Sequence, residues 1–555
     1  MAATAMAASL SDICSETYLA SALPTDVDSA LTIDSSSVTA NAVYNSTITD
    51  DDMYPNAVID YCNVTFAYAH NGITDDQVLV QFYLPAPSVF ANRYISNGGG
   101  AYSIYGGTSM PGGPIYGAVS GATDGGFGSF DTDADQVALL ANGTLNWQTI
   151  YMFGYQAHYE LTRIGKAFTR NVYNVSDADK LYSYYQGCSE GGREGWSQVQ
   201  RFAEEWDGAI IGAPAFRYAF QQVQHLYSNV VEQTLDYYPP PCELEKIVNE
   251  TIKACDPLDG RTDGVIARSD LCMLQYNISE TIGMSYYCSS TPAQNGTVSA
   301  EGVAVAQRIL DGLHDEAGKQ VYFSYQIGAT FTDAQTTYNS TSDSWGLDIS
   351  GLGGEWVAMF LYLQDADNLA SLEGVTYNTL KEWMLFGLSK YYDSLHTAWP
   401  DLTPFHKAGG KVLHYHGEQD SSVPTASSVR YWESVRQMMY SNMTYNESAA
   451  ALNDWYKLYL IPGAVHCAPN SEQPNAPFPQ TNFAVMIDWV ENGVAPTTLN
   501  GTVLEGEYKG DNGQICGWPL RPYWVDNGTT MVCEYDQESL DTWFYDLEGV
   551  EMPIY

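Results

Sequence analysis

Apolar residues recur along the first part of the chain in short blocks separated by glycine and proline. Ala57–Asp60, Val64–Ala69 and Val78–Leu84 read as strands, alternating or apolar throughout, until Pro85 and Pro87 interrupt. A glycine loop follows at Asn97-Gly98-Gly99-Gly100-Ala101-Tyr102, then a Gly-rich stretch from Gly106 to Gly128. From Thr149 to Arg170 the spacing becomes helical, with Met152, Tyr155, Tyr159 and Ile164 as the apolar positions. Leu181–Gln186 is a short Tyr-rich strand, followed by glycines and an amphipathic helix bearing Trp196, Val199, Phe202 and Ala203. Gly208–Gly212 reads as a buried strand closed by Ala213-Pro214. Strands alternating with helices predict an α/β fold with a mostly parallel sheet.

Between 216 and 404 the character changes to helical pieces, the run Pro239-Pro240-Pro241 and four cysteines. The α/β rhythm returns at Lys411–Tyr415 and Leu458–Ile461, and a final helix, Phe483–Glu491, leads into a cysteine-bearing tail. The expected organisation is a catalytic core formed by 1–215 and 405–555, interrupted by an inserted lid at 216–404. No internal repeat is visible.

The chain has 555 residues, 45% hydrophobic and 13% aromatic, enough for a large packed core and far from a disordered composition. Lys and Arg total 23 against 66 Asp and Glu, so the formal net charge is 23 − 66 = −43. A field of that sign repels phosphate backbones and anionic lipid, so neither nucleic acid nor a membrane surface is an expected partner. No apolar run is long enough to span a bilayer. The first basic residue is Arg93, so no basic n-region of a signal is visible; the Ala-rich start, Ala2 to Leu10, reads either as the remnant of one or as the start of a mature chain behind an added Met. Ten scattered cysteines without a CxxC pair, together with twelve N-x-S/T sequons (Asn45, Asn63, Asn142, Asn174, Asn277, Asn442 and Asn527 among them), point to a secreted glycoprotein carrying N-linked glycans and five disulfides.

Gly187-Cys188-Ser189-Glu190-Gly191 fits the G-x-S-x-G turn that raises a serine above a sheet, and it lies in the strand–turn–helix setting which that turn requires. A serine hydroxyl needs a base to act as a nucleophile. In this architecture the partners follow in the order serine, acid, histidine. The turn after the strand around Val412 offers Asp420 as acid, with Glu418 as the weaker alternative, and His466 is the one histidine beyond them. The oxyanion donors expected from the motif are the N–H of Glu190 and one from the Gly98–Ala101 loop, Gly99 or Gly100. His414 and His416 share a strand face but lack an evident third ligand, and are expected to pack or hydrogen-bond beside the acid loop. Cys188 precedes the serine and Cys467 follows the histidine, so a bond between them would close a loop of nearly 280 residues, worth on the order of 5 kcal/mol in chain entropy.

The Cys-Ser…Asp…His-Cys arrangement, with the stretches GCSEGGREG, YYPPPCEL, CDPLDGRTDGV, HYHGEQD and LIPGAVHC, resembles the fungal tannase and feruloyl esterase family of α/β-hydrolases, from about Cys14 to Tyr555. The resemblance implies Ser189, His466 and Asp420 as catalytic groups, the Cys188–Cys467 bridge, and a lid over the active site. It also implies small polyphenol esters as substrates, with galloyl esters of tannic acid or alkyl gallates cleaved to gallate. Residues 255–265 place three Asp within eight positions, and hard oxygens in a flexible loop suit Ca²⁺. The resemblance assigns a structural calcium to the side chains of Asp256, Asp259 and Asp263 and the carbonyls of Arg261 and Val265, with no organic cofactor. The remaining pairings expected are Cys14–Cys62, Cys242–Cys288, Cys255–Cys272 and Cys516–Cys533. Some members carry a longer segment with a dibasic processing site after the position of Cys288; here Cys288 runs into Pro292 without a Lys-Arg pair. A galloyl ring needs a flat slot with polar partners, for which the lid offers Phe216, Tyr218, Phe220, Tyr237 and Tyr238. The alternative activity is a feruloyl or chlorogenate esterase with the same machinery; a catalytically inert polyphenol-binding protein is the reading from another class.

Overall fold

The structure, a computed structural model, describes residues 9–289 and 292–555, so most of the Ala-rich start lies outside the described residues. Nine strands form the main sheet: β1 (Leu31–Ile48), β2 (Ala57–His70), β3 (Val78–Pro85), β4 (Arg93–Asn97), β5 (Ala118–Thr123), β6 (Tyr182–Cys188), β7 (Gly208–Gly212), β8 (Lys411–Gly417) and β9 (Tyr456–Ile461). Their order across the sheet is β1-β2-β3-β5-β4-β6-β7-β8-β9. The six strands from β5 to β9 in that order are parallel, and β1, β2 and β3 join them as an antiparallel meander. The expected α/β-hydrolase core is therefore present.

The parallel strands are buried on both faces, which is why they read as apolar runs without alternation. On one face Tyr94, Val119, Tyr185, Ile211 and Val412 pack with α1 (Ala157–Tyr173), α2 (Glu190–Arg201) and α3 (Thr425–Met439). On the other face Ile95, Tyr184, Ile210 and Leu413 pack with Phe483 and Met486 of α4 (Asn482–Asn492). The order reverses between β4 and β6, because β4 is followed by β5 on one side while β6 lies on the other. Ligands of open α/β sheets bind in the crevice beyond the carboxyl ends of strands at such a reversal.

Four strands differ from the sequence reading, β4 among them, since nothing ahead of the glycine loop was read as a strand. The two segments expected between 57 and 69 are one strand, β2, whose alternation of buried Cys62, Val64 and Phe66 runs through polar Asn63 and Thr65. β1 carries polar side chains over most of its length because it is an exposed edge, so no apolar pattern marks it. β5 lies inside the Gly-rich stretch, where Gly121 leaves room for Tyr94 and Phe82.

All ten cysteines are paired, in the five pairs expected. Residues 213–410 are inserted between β7 and β8 and are strapped to the core by the C-terminal tail. Arg521, fully buried, donates to Glu418 at 2.8 Å and to Asp270 of the insert at 3.0 Å. Burial alone would raise the Asp270 carboxyl, but Arg521 and Arg268 hold it down at about 2. Replacing Arg521 with Met leaves two buried carboxylates short of a cation. Urea unfolding of Arg521→Met is expected to show a loss of about 3–5 kcal/mol.

Candidate active site

β6 ends at Cys188 and α2 begins at Glu190, so Ser189 alone makes the turn. Its backbone sits at φ 63°, ψ −123°, a conformation that costs a non-glycine residue about 1–3 kcal/mol. The turn survives because its neighbours are too close for anything larger. A Cβ on Gly187 would stand 2.5 Å from the Gly191 carbonyl oxygen, and one on Gly191 would stand 2.6 Å from that of Gly99. The Ser189 N–H donates to Gly212 O at 3.0 Å, which ties the turn to β7.

The structure brings Ser189, His466 and Asp420 together. His466 Nε2 lies 2.8 Å from Ser189 Oγ, and its Nδ1 lies 2.7 Å from Asp420 Oδ2. Asp420 is fully buried, and its Oδ1 accepts the N–H groups of Ser422 and Val423 at 2.8 Å each. Burial would raise this carboxyl, but the facing His466 and the hydrogen bonds from His416 and His466 hold it well below the usual carboxylate range. An ionised Asp420 places the imidazole proton on Nδ1 and leaves Nε2 free to accept from the serine. Glu418, the other acid considered, accepts instead from Ser269 at 2.6 Å and from Arg521. Cys188 and Cys467 are bonded, with Cα atoms 6.1 Å apart, and Cys467 adopts a left-handed φ of 59°.

The glycine loop after β4 departs from expectation. The Gly99 N–H is given to Glu194 Oε2 at 3.1 Å and the Gly100 N–H to Ser103 O at 3.0 Å, so neither is free to meet an oxyanion. Ala101, the next residue, lines the cleft at φ 54°, and its N–H has no acceptor among the described residues. The Glu190 N–H, in the first turn of α2, has no intrahelical partner and lies at the positive end of the helix dipole. Sequence reasoning could not distinguish these amides, because their acceptors come from residues that folding brings in.

Two buried acids on α2 shape the loop and the turn. Glu194 Oε2 accepts from the Gly99 N–H, from Tyr185 Oη at 3.2 Å and lies 2.9 Å from His158 Nε2. Glu190 forms a two-pronged pair with Arg193, in which burial pushes the carboxyl up while the guanidinium pulls it down. Arg193 also donates to the carbonyls of Phe153 and Gly154 at 2.7 Å. Those carbonyls belong to a π-helical segment, Met152–Gln156, which leads into α1. None of these roles was visible in the spacing of the residues.

A cleft of about 440 Å³ opens over Ser189 and His466, with Met53, Tyr105, Thr108, Ser109, Leu352 and Ser422 on its sides. None of the aromatics expected to form its slot lines this cleft. Phe216, Tyr218 and Phe220 are buried in the core, and Tyr237 is held by Glu243 at 2.7 Å.

The family model described as tannase and feruloyl esterase matches residues 62–537. The chain belongs to the tannase and feruloyl esterase family. It is 50% identical to the tannase of Aspergillus oryzae, over 100% of this chain and 98% of that one. A probable feruloyl esterase of Arthroderma benhamiae is 28% identical over 84% of each chain. Among solved structures, the tannin acyl hydrolase from Aspergillus niger is 62% identical and superposes with a TM-score of 0.97 over 99% of each chain. The feruloyl esterase B from Aspergillus oryzae shares the fold, with a TM-score of 0.71 at 24% identity over 91% of this chain and 97% of that one.

In the acidic loop each carboxylate caps nearby backbone. Asp256 accepts from Asp263 N at 2.9 Å, Asp259 from Arg261 N at 2.9 Å, and Asp263 from Val265 N at 3.2 Å. Burial and mutual repulsion push Asp259 up to about 7 and Asp263 up to about 6. Among the described residues no group of three or more His, Cys, Asp or Glu side chains could hold a metal by itself, so an ion here would need backbone carbonyls to complete its shell. Arg261 Nε, 3.0 Å from Asp263 Oδ2, offsets one charge of the three, and the all-oxygen donor set fits a hard divalent cation. His414 and His416 join a hydrogen-bonded line behind Asp420.

Glu194→Ala tests the anchoring of the glycine loop. It leaves the Gly99 N–H and the buried His158 Nε2 without their carboxylate partner, while Tyr185 keeps the Gly191 carbonyl at 2.6 Å as its acceptor. Thermal unfolding should report a loss of about 2–4 kcal/mol, and ester turnover should fall about tenfold in kcat. Full kcat in the folded variant would show that the loop holds its place without this carboxylate.

Proposed function

We propose that this chain is a secreted serine esterase that cleaves galloyl esters and depside bonds of hydrolysable tannins and alkyl gallates, releasing gallic acid. The observation that carries the reading is the Ser189–His466–Asp420 hydrogen-bond series in a chain 62% identical to a tannin acyl hydrolase. Ser189 Oγ attacks the ester carbonyl as His466 Nε2 takes its proton, and Asp420 steadies the imidazolium. The N–H groups of Glu190 and Ala101 receive the oxyanion, each worth roughly 3 kcal/mol of barrier. His466 returns the proton to the leaving alcohol, and water then repeats the sequence on the acyl-enzyme. The hydroxyls of Tyr105, Thr108, Ser109 and Ser422 on the cleft walls are the partners available to a galloyl ring. Five disulfides support an oxidising, extracellular setting, and the sequons supply acceptors for N-linked glycans.

The second reading, feruloyl ester hydrolysis, is supported by the relatives of that name at 28% identity. A site built to hydrogen-bond hydroxyls rejects analogues that lack them. The expected outcome is that kcat/KM for methyl gallate exceeds that for methyl ferulate by about 100-fold or more. The reverse ranking would assign the chain to the second reading. Ser189→Ala should keep its fold, lose fluorophosphonate labelling, and lose about 10⁵–10⁶-fold in kcat.

The acidic loop is proposed to hold one structural Ca²⁺ through Asp256, Asp259 and Asp263, completed by the carbonyls of Arg261 and Val265. The Cys255–Cys272 bond braces the segment that carries it. The ion would neutralise carboxylates that otherwise repel one another and would take no part in the ester chemistry. Chelation should lower the thermal midpoint by several degrees, with calcium restoring it. An unchanged midpoint after exhaustive chelation would remove the ion from the account.

A further inference from the structure

Behind Asp420 the hydrogen bonds continue into the core. His416, on β8, has Nε2 3.0 Å from Asp420 Oδ2 and 3.0 Å from Val423 O. Its Nδ1 is 2.7 Å from Ser428 Oγ on α3. The same hydroxyl lies 2.9 Å from Nε2 of His414, whose Nδ1 is 2.9 Å from the Tyr456 phenol on β9. All five side chains are fully buried, so a missing partner anywhere in the line would be costly.

Full pairing fixes the direction of the line. Both neighbours of His416 Nε2 are acceptors, so that nitrogen carries a proton. In the neutral ring Nδ1 accepts, and Ser428 donates to it. The serine oxygen then accepts from His414 Nε2, and His414 Nδ1 accepts from Tyr456. Burial, with His416 beside it, keeps His414 neutral, and burial keeps the Tyr456 phenol protonated. A charged His416 would reverse the bonds beyond it, yet its Nε2–H would still face Asp420.

We infer that His416 is a positioning residue for the ester hydrolysis, presenting a second imidazole N–H to the oxygen of Asp420 that His466 uses. The inference rests on the serine–histidine–aspartate reading above. Two backbone N–H groups hold Oδ1 and two imidazoles hold Oδ2, so the carboxylate cannot swing away from His466. His416 also draws part of the Oδ2 charge to itself. Without it, that charge acts on His466 alone and makes the imidazole more basic. His466 serves as the base only when neutral, so the acidic limb of the kcat/KM profile should then move to higher pH. Three further groups act on this region from the insert: His225 and Tyr325 feel the charge of Asp420, and Arg217 acts on Tyr456. The substitutions below leave all three in place.

The experiment measures kcat, KM and pH profiles on methyl gallate for His416→Leu, His416→Gln, Ser428→Ala and Asp420→Asn, with thermal unfolding of each. His416→Leu should lose about tenfold in kcat at unchanged KM, and its acidic limb should rise. His416→Gln, which keeps a side-chain N–H, should recover most of kcat and return the limb towards its original position. Ser428→Ala should move the limb the same way by a smaller amount. Native kcat and limb in folded His416→Leu would overturn the inference, as would equal losses in the Leu and Gln variants with an unmoved limb, the mark of packing alone. Should His416→Leu not fold, an unmoved limb and native kcat in Ser428→Ala overturn it instead. Undiminished turnover in Asp420→Asn would sink the triad reading itself, whereas its loss beside native His416 variants would sink only this inference.

Discussion

The bond between Cys188 and Cys467 joins the turn that carries Ser189 to the loop that carries His466, across 279 positions of chain. Both flanking conformations are unfavourable by themselves. Ser189 and Cys467 each hold a left-handed φ without being glycine. Such conformations persist where the surroundings over-determine them. Here the surroundings are the covalent tie, the glycines packed against the turn, and the hydrogen bond from Ser189 N–H to β7. The tie also limits how far the imidazole can drift from the hydroxyl, which is the geometric condition for proton transfer.

The charge arrangement around this site runs opposite to that of the molecule. A chain with a net charge of −43 places Arg193, Arg217 and Arg521 in its interior. Arg193 and Arg521 sit among buried carboxylates, with Glu190 in one case and Glu418 and Asp270 in the other. Arg217 instead lies over the Phe216 and Phe323 rings and donates to the Ser427 carbonyl. Burying an acid without a partner would push it to its neutral form. Arg521 and Arg268 hold the buried Asp270 ionised, and it then acts as a rigid multi-point acceptor. Glu194 accepts several hydrogen bonds behind the glycine loop with His158 as its neighbour, and an ionised Asp420 accepts from His466 and His416. The site is therefore surrounded by acceptors whose positions are fixed from the core outward.

The turn at 187–191, the parallel strands and the late histidine could all be read from local pattern. A G-x-S-x-G between an apolar strand and an amphipathic helix states its own geometry, and the chain order of the partners narrows the base to His466. The turn after the strand already put Asp420 ahead of Glu418, and the fold supplies the physical reason, since Ser269 and Arg521 engage Glu418 elsewhere. The oxyanion loop was legible as a loop, but the free N–H within it was not, because Glu194 and Ser103 take the amides of Gly99 and Gly100.

Sequence by itself determined most of the buried parallel strands and the helices beside them, which turn exposes a nucleophile, and which residue types stand ready for acid–base work. Those properties depend on side-chain periodicity and backbone preference over a few residues. Only the tertiary structure decided how the rejected carboxylate is engaged, which amides remain unpaired, that Phe216, Tyr218 and Phe220 belong to the core and not the cleft, and that a second histidine stands behind the acid. Each of those depends on groups tens to hundreds of positions apart competing for the same buried donors and acceptors, and that competition is resolved only when the layers pack.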